Sequence, residues 1–232
     1  MTKRLLIIPA RGGSKRIRNK NIKKFYKKPI IQYPLNSAKK SKLFNTIHVS
    51  TESKTIFTLV KKIGFKPDFL REKKLGKNSI DINDVINFVI NKYLKIHKIF
   101  DEVWCIYPCS PLINENDLKK ISIYFKKQKK SLMTICEFPA PILWALKKNK
   151  DNTIDHIFKK KAKLASNKMK PSFYDNGCII ILKKKDFLKK FTKIKFIGYE
   201  MPIYKSIDID NMKDWRLALN LYKMQKKFNT KD

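Results

Sequence analysis

Leu5-Leu6-Ile7-Ile8-Pro9-Ala10-Arg11-Gly12-Gly13-Ser14-Lys15-Arg16-Ile17-Arg18-Asn19-Lys20-Asn21 stands near the start of the chain. Four apolar residues in succession before Pro9 have the pattern of a strand buried on both faces. It runs into a loop with two glycines, one hydroxyl and five basic side chains. Gly12 and Gly13 allow close approach that a Cβ would block, so successive N–H groups could converge on an anion. Arg11, Lys15 and Lys20 would add full positive charge around it. The GxxxxGK[ST] spacing of a Walker loop is absent. On these residues alone two readings stand, a phosphate cradle and a solvated basic turn.

Outward from that loop, helical and extended patterns alternate. Ile31, Leu35 and Ala38 fall at helical spacing over 30–41, with Pro29 and Pro34 near the first turn, where proline is tolerated. Residues 46–50 read as a strand, 54–63 as a helix stopped by Gly64, and 65–70 as a further strand. That order implies an α/β chain with parallel strands. The strongest helical stripe follows in Ile82, Val85, Ile86, Val89, Ile90 and Tyr93. A buried strand over 103–107 ends at Pro108, and Asn114 to Asp117 turn the chain into a helix over 118–127.

A strand over 131–135 gives way to an irregular, Pro-containing passage over about 138–172. This passage reads as an excursion from the sheet that carries a lid or a subunit contact. Beyond it come a strand over 177–182, a short helix over 184–190, a strand over 194–199 and a closing helix from about 212 to 228. Residues 226–232 read as a frayed polar tail. With no internal repeat and no convincing linker, residues 1–232 are expected to form one domain.

Lysine and arginine total 54 against 19 acidic residues, a formal charge of +35, which draws attention to nucleic acid. The excess is almost all lysine, spread end to end in pairs such as Lys23-Lys24, Lys61-Lys62, Lys119-Lys120 and Lys189-Lys190. Compositional bias explains that pattern better than a basic patch. The expectation is salt-sensitive association with polyanions and no specific nucleic-acid partner.

Cys105, Cys109, Cys136 and Cys178 form no CxxC pair, and His48, His97 and His156 lack metal-ligand spacing. Reduced, buried thiols in a cytoplasmic protein are expected. No apolar run approaches the roughly 18 residues a membrane helix needs, and the basic loop stands where a signal peptide would carry its apolar core.

Near the other end lies Ser206-Ile207-Asp208-Ile209-Asp210. On an extended backbone residues i and i+2 share a side, so Asp208 and Asp210 would present two carboxylates to one point while Ile207 and Ile209 face the core. Such a pair could hold Mg²⁺, which takes one or two carboxylates and shares phosphate oxygens. It could equally be a pair of surface aspartates capping the next helix.

Arg11-Gly12-Gly13-Ser14-Lys15-Arg16 with Lys20-Asn21, and the late Ser206 to Asp210 motif, together resemble the acylneuraminate cytidylyltransferases. Leu70-Arg71 and Ser110-Pro111-Leu112 match intermediate family segments in order, so the similarity covers nearly the whole chain. The resemblance implies a Rossmann-like three-layer nucleotidyltransferase fold with a mainly parallel central sheet and a dimerisation excursion. It further implies that Arg11, Gly12, Gly13, Ser14, Lys15, Lys20, Asn21 and Arg71 bind CTP, with Lys20 nearest the transferring phosphate and Asn21 and Arg71 nearer the cytidine. Asp208 and Asp210 become the Mg²⁺ ligands, Arg11, Lys20 and Asp210 the catalytic set, and the protein a homodimer.

Phe173-Tyr174-Asp175-Asn176-Gly177 is similar to the family's sugar-side motif, which implies sugar contacts at Phe173, Tyr174, Asp175 and Asn176. Phe138 to Ile142, Trp144 to Lys147 and Ile106-Tyr107-Pro108 look most like the pseudaminic acid branch. Three departures accompany this. Tyr107 stands where sialic acid enzymes usually carry glutamine, Lys77-Asn78 replaces residues that are often acidic, and an arginine-serine-glutamine-aspartate-leucine run is not recognisable in 165–172.

The implied reaction transfers CMP from CTP to the anomeric hydroxyl of a nine-carbon 2-keto sugar acid, releasing pyrophosphate. A cytidylyltransferase for an eight-carbon 2-keto sugar acid, or another sugar nucleotidyltransferase, is the alternative enzyme. A basic nucleic-acid-binding protein is the non-enzymatic alternative.

Overall fold

The computed structural model describes residues 2–161 and 163–228. Its first half runs β1 (Arg4–Pro9), β2 (Lys24–Phe25), β3 (Lys28–Pro29), α1 (Gln32–Ser41), β4 (Thr46–Ser50), α2 (Lys54–Lys62), α3 (Ile82–Lys95), β5 (Glu102–Ile106) and α4 (Glu115–Lys126). Then follow β6 (Leu132–Glu137), β7 (Leu146–Lys148), β8 (Ile154–His156), β9 (Phe173–Lys183), β10 (Ile197–Glu200) and α5 (Met212–Phe228). Residues 229–232, the rest of the expected tail, lie outside the described residues.

The apolar run that opens the chain is needed because β1 lies inside the sheet. Strand order is β10-β6-β9-β5-β1-β4. β4, β1, β5, β6 and β10 point one way, and β9 runs antiparallel to both neighbours. Leu6 and Ile8 enter one core with Trp104, Ile106, Ile179 and Ile181, covered by α1, α2 and α4. Leu5 and Ile7 enter the other with Val103, Cys105, Ile180 and Leu182, beneath the apolar stripe of α3. Alternation of side chains along each strand thus produces three layers.

Helix boundaries follow side-chain chemistry. Ser53 caps α2 by accepting from Ile56 N–H, Asp81 caps α3 by accepting from Asn83 N–H, and Asn114 with Asp117 forms a reciprocal capping box on α4. Gly64, at φ +89°, ends α2 in a conformation that glycine adopts without a Cβ penalty.

Two expected elements are corrected. Residues 65–70 form no strand: Pro67 has no N–H to donate, and the segment is tied back chiefly by Arg71 N–H donating to Thr51 O at 2.8 Å. Its aromatic residues split, Phe65 packing into one core and Phe69 against the other. Residues 184–190 form a single 3-10 turn, Lys184–Asp186, and Leu188 at φ +63° prevents a helix from continuing. The strand expected over 177–182 is longer, beginning at Phe173, and that expected over 194–199 begins at Ile197. The passage over 138–172 leaves the central sheet as expected and folds into the small β7–β8 hairpin flanked by short turns.

β1, β4 and β5 are parallel neighbours, so their carboxyl ends reach one edge together. In open α/β sheets ligands bind in the crevice beyond that edge.

Candidate active site

At this edge lies a cleft of about 430 Å³ whose walls come chiefly from four separate parts of the chain. Arg11, Ser14, Arg16, Lys20 and Asn21 come from the loop after β1; Arg71, Leu75, Lys77 and Asn78 from the segment before α3; Tyr107 to Ser110 follow β5; and Asp208 and Asp210 precede α5. Of the expected nucleotide residues, Arg11, Ser14, Lys20, Asn21 and Arg71 are therefore brought together, and both aspartates face them. Gly12, Gly13 and Lys15 are not in the cleft wall, and Gly13 and Lys15 are exposed.

The loop is shaped by its own polar groups. Asn19 takes a left-handed conformation at φ 55°, one that asparagine tolerates, and its carbonyl accepts from Ile22 and Lys23 N–H at 2.9 Å each. Lys20 and Asn21 are thereby turned inward on a tight turn. Asn21 is buried, donating to the Arg11 carbonyl at 2.9 Å and accepting a weak contact from Cys109 Sγ at 3.5 Å. Lys20 Nζ donates to Ile209 O at 2.6 Å and lies 3.6 Å from Asp210 Oδ1, while Arg16 Nη1 lies 2.8 Å from Asp210 Oδ2.

Ile209 is fully buried with Ile17, Trp215 and Ala218, which turns the flanking aspartates toward the basic loop. Burial, then the neighbouring Asp210 carboxylate, pushes the Asp208 carboxyl above its ordinary range, although Lys20 and Arg16 pull the other way. Helix capping is carried out by other residues. Asn211 Oδ1 accepts from Lys213 and Asp214 N–H, and Asp214 Oδ2 accepts from Asp210 and Asn211 N–H. The Asp208 and Asp210 side chains are thus left to the cleft. Two carboxylates edged by cations, one of them disfavoured in its charged form, suit a divalent cation that shares its remaining positions with water and phosphate oxygens.

The phosphate-cradle reading of Gly12 is corrected. Its N–H donates at 2.7 Å to Glu52 Oε1, so it is already committed to an anion of the chain itself. A Cβ at Gly12 would come within 2.9 Å of Ser53 Cβ, which accounts for the glycine, whereas a Cβ at Gly13 would meet nothing within 4 Å. Glu52 also accepts from Arg71 Nη2. Burial raises the Glu52 carboxyl, but the Gly12 and Arg71 hydrogen bonds outweigh it and hold the group below the usual range. Arg11 donates through Nη1 to Asn78 Oδ1. Sequence reasoning missed Glu52; its signal was an acid just beyond a strand end in an acid-poor chain.

Of the expected sugar residues, none lines the cleft, although the adjoining Gly177 does. Asn176 is buried and bonded inside, accepting from Thr134 Oγ1 at 2.7 Å and from Cys178 N–H at 3.2 Å. Tyr174 stacks against Phe138 with ring centroids 5.0 Å apart, Asp175 accepts from Gly177 N–H at 2.9 Å, and Phe173 is exposed. Burial raises the Tyr107 hydroxyl and pushes the Cys109 thiol up to about 12, so both are neutral walls of the cleft. Among the described residues no histidine lines it.

The sequence profile of the cytidylyltransferase family matches residues 5–228. The chain belongs to the cytidylyltransferase family. Over 225 residues, covering 96% of this cytidylyltransferase and 97% of the relative, it is 33% identical to a pseudaminic acid cytidylyltransferase of Campylobacter jejuni. Identity to a CMP-N,N'-diacetyllegionaminic acid synthase of Legionella pneumophila is 26% over 227 residues, covering 95% and 96% of the two chains. In three dimensions it superposes with a TM-score of 0.71 on a CMP:2-keto-3-deoxy-manno-octonic acid synthetase solved with CTP. That match covers 97% of this chain and all of the other at 14% identity, a likeness of fold. Family membership sets aside the reading of the lysine excess as a nucleic-acid-binding protein.

Proposed function

We propose that this cytidylyltransferase transfers CMP from CTP to the anomeric hydroxyl of a nine-carbon 2-keto sugar acid of the pseudaminic type, with loss of pyrophosphate. One observation carries the reading: the early basic loop and the late carboxylates share one cleft, with Lys20 and Asp210 3.6 Å apart. The pseudaminic acid relative supports the choice of sugar. The eight-carbon acid is less well supported, because the octonic acid enzyme is like this chain in fold alone.

In this reading Arg11, Lys20 and Arg71 hold the triphosphate and cytidine, and the cations meet the negative charge that grows as the pentacoordinate phosphorus forms. Asn21 ties the two ends of the loop so that Arg11 and Lys20 keep their spacing. Asp208 and Asp210 would hold Mg²⁺. When bound, that ion supplies charge neutralisation for the phosphates. Tyr107 and Cys109, uncharged, limit water and competing charge beside the reacting atoms.

A homodimer through the excursion is part of the proposal. Trp144, Leu146, Ile154, Ile157 and Phe158 are exposed on it, more apolar surface than a solvated hairpin needs. Among the described residues all four cysteines are free and no helix is long and apolar enough to cross a membrane; the free thiols favour the cytoplasm.

The test is pyrophosphate release from CTP and Mg²⁺ with pseudaminic, legionaminic and sialic acids and the eight-carbon acid as acceptors. Turnover with pseudaminic acid is expected. Release with the eight-carbon acid alone would overturn the choice of sugar, and none with any acceptor, from folded protein that binds CTP, would remove this class of acceptors.

A further inference from the structure

Glu52 sits behind the cleft, between the root of the basic loop and the segment that carries Arg71 and Gly76, and is not among the residues that line it. Its Oε1 accepts the Gly12 N–H at 2.7 Å, fixing the root of the basic loop. Through Oε2 it receives Arg71 Nη2. From the third side Gly76 closes over it: a Cβ there would lie 2.5 Å from Glu52 Cδ, so no larger residue fits while Glu52 holds this position. The φ of Gly76 is not in the left-handed region, so alanine is excluded by space alone.

Arg71 is the functional end of this arrangement. The residue is 5% exposed and lines the cleft, and its Nε is a buried donor with no hydrogen-bond partner among the described residues. A buried guanidinium with one edge held by a carboxylate and another donor unmet is poised for an acceptor that arrives with the ligand.

We infer that Glu52 is a positioning residue for nucleotide capture: its carboxylate locks the Arg71 guanidinium and the Gly12 turn in one geometry, and CTP meets a site already set. This rests on the CTP reading above. The advantage is that ordering is complete before binding, so binding does not have to meet its cost. Glutamine at position 52 keeps the shape and loses the charge that matches the guanidinium; alanine at position 76 keeps the charge and displaces it.

The experiment compares wild type, Glu52→Gln, Gly76→Ala, Arg71→Ala and Glu52→Gln/Arg71→Ala. CTP affinity is measured by calorimetry without acceptor, steady-state kinetics with acceptor, melting temperature by circular dichroism, and exchange of the Gly12 amide by hydrogen–deuterium exchange. Glu52→Gln and Gly76→Ala should each weaken CTP binding about tenfold or more, the usual effect of losing a charge-assisted bond. KM for CTP should rise more than kcat falls, Gly12 exchange should accelerate, and the Glu52→Gln effect should shrink in the Arg71→Ala background.

Wild-type affinity in Glu52→Gln, or an undiminished loss on top of Arg71→Ala, overturns the inference. Should Glu52→Gln not fold, Gly76→Ala decides by the same affinity criterion. If wild type itself binds no CTP, the functional reading fails and capture fails with it; Gly12 exchange then decides whether the lock exists, unchanged exchange in Glu52→Gln removing it as well.

Discussion

Lys20 and Asp210 come from opposite ends of the chain and meet at 3.6 Å, and the chemistry proposed for the cleft depends on both. Asp210→Asn should lower kcat by about 10²-fold or more at saturating CTP and Mg²⁺, the scale on which a preorganised electrostatic contact acts. Retained turnover in a stopped-point pyrophosphate assay would remove Asp210 from the catalytic set. A second residue acts on stability alone. His48 is buried with both ring nitrogens unpartnered among the described residues, its ring 4.3 Å from that of Phe69.

Burial depresses its pKa to about 4, with Asp68 acting in the opposite direction. A base depressed on folding binds fewer protons when folded. The stability it permits is therefore full above about pH 6.5 and is lost as pH falls toward about 4, by about 3 kcal/mol at most. Urea melts of wild type and His48→Phe at pH 7.5 and 4.5 should show a smaller acid loss in the variant; equal losses would assign the acid sensitivity elsewhere. At this scale the structure brings Arg11, Lys20, Asn21, Asp208 and Asp210, the residues that the family resemblance singled out, into one cleft. Glu52 was not legible in the sequence, because its partners are 40 and 19 residues away and only folding brings them together.

Elements were legible where one face or one cap decides them. The stripe of α3, the Asn114 to Asp117 entry to α4 and the Gly64 stop of α2 are local signals, and the helices lie where those signals put them. The residues 65–70 misled because Phe65, Phe69 and Leu70 have strand composition, while the outcome depended on Pro67 and on Arg71 binding back to Thr51. Nothing local distinguishes β9 as antiparallel: direction is set by the long return through 138–172.

The entry to α5 offers a test that separates cap from cleft. Asn211→Ala removes the acceptor for Lys213 and Asp214 N–H and should lower stability by about 1 kcal/mol in urea melts, with kcat near wild type. A loss of turnover as large as that of Asp210→Asn, with unchanged stability, would place Asn211 among the reacting groups instead. The proposed homodimer contact at the β7–β8 hairpin predicts that Trp144→Glu with Ile154→Lys gives a monomer of about 27.5 kDa in light scattering, and a dimer mass unmoved by the pair would take the proposed contact off this hairpin.

At the scale of the molecule the formal charge of +35 affects every encounter with an anion. Lysines spread over the whole surface do not select a sequence or a fold, but they raise the concentration of a polyanionic nucleotide near the cleft mouth, where Arg11, Arg16, Lys20 and Lys77 concentrate the field. Screening shortens to about 8 Å at physiological ionic strength, so the long-range part of this attraction fades with salt while contacts inside the cleft persist. For CTP, kcat/KM should therefore fall several-fold between low and high KCl with kcat almost unchanged. Heparin should compete at low salt and lose its effect as salt rises, without any preference for sequence when DNA replaces it. A parallel fall in kcat would mean that salt reaches the reacting groups themselves, and the surface lysines would then have no separate part in capture.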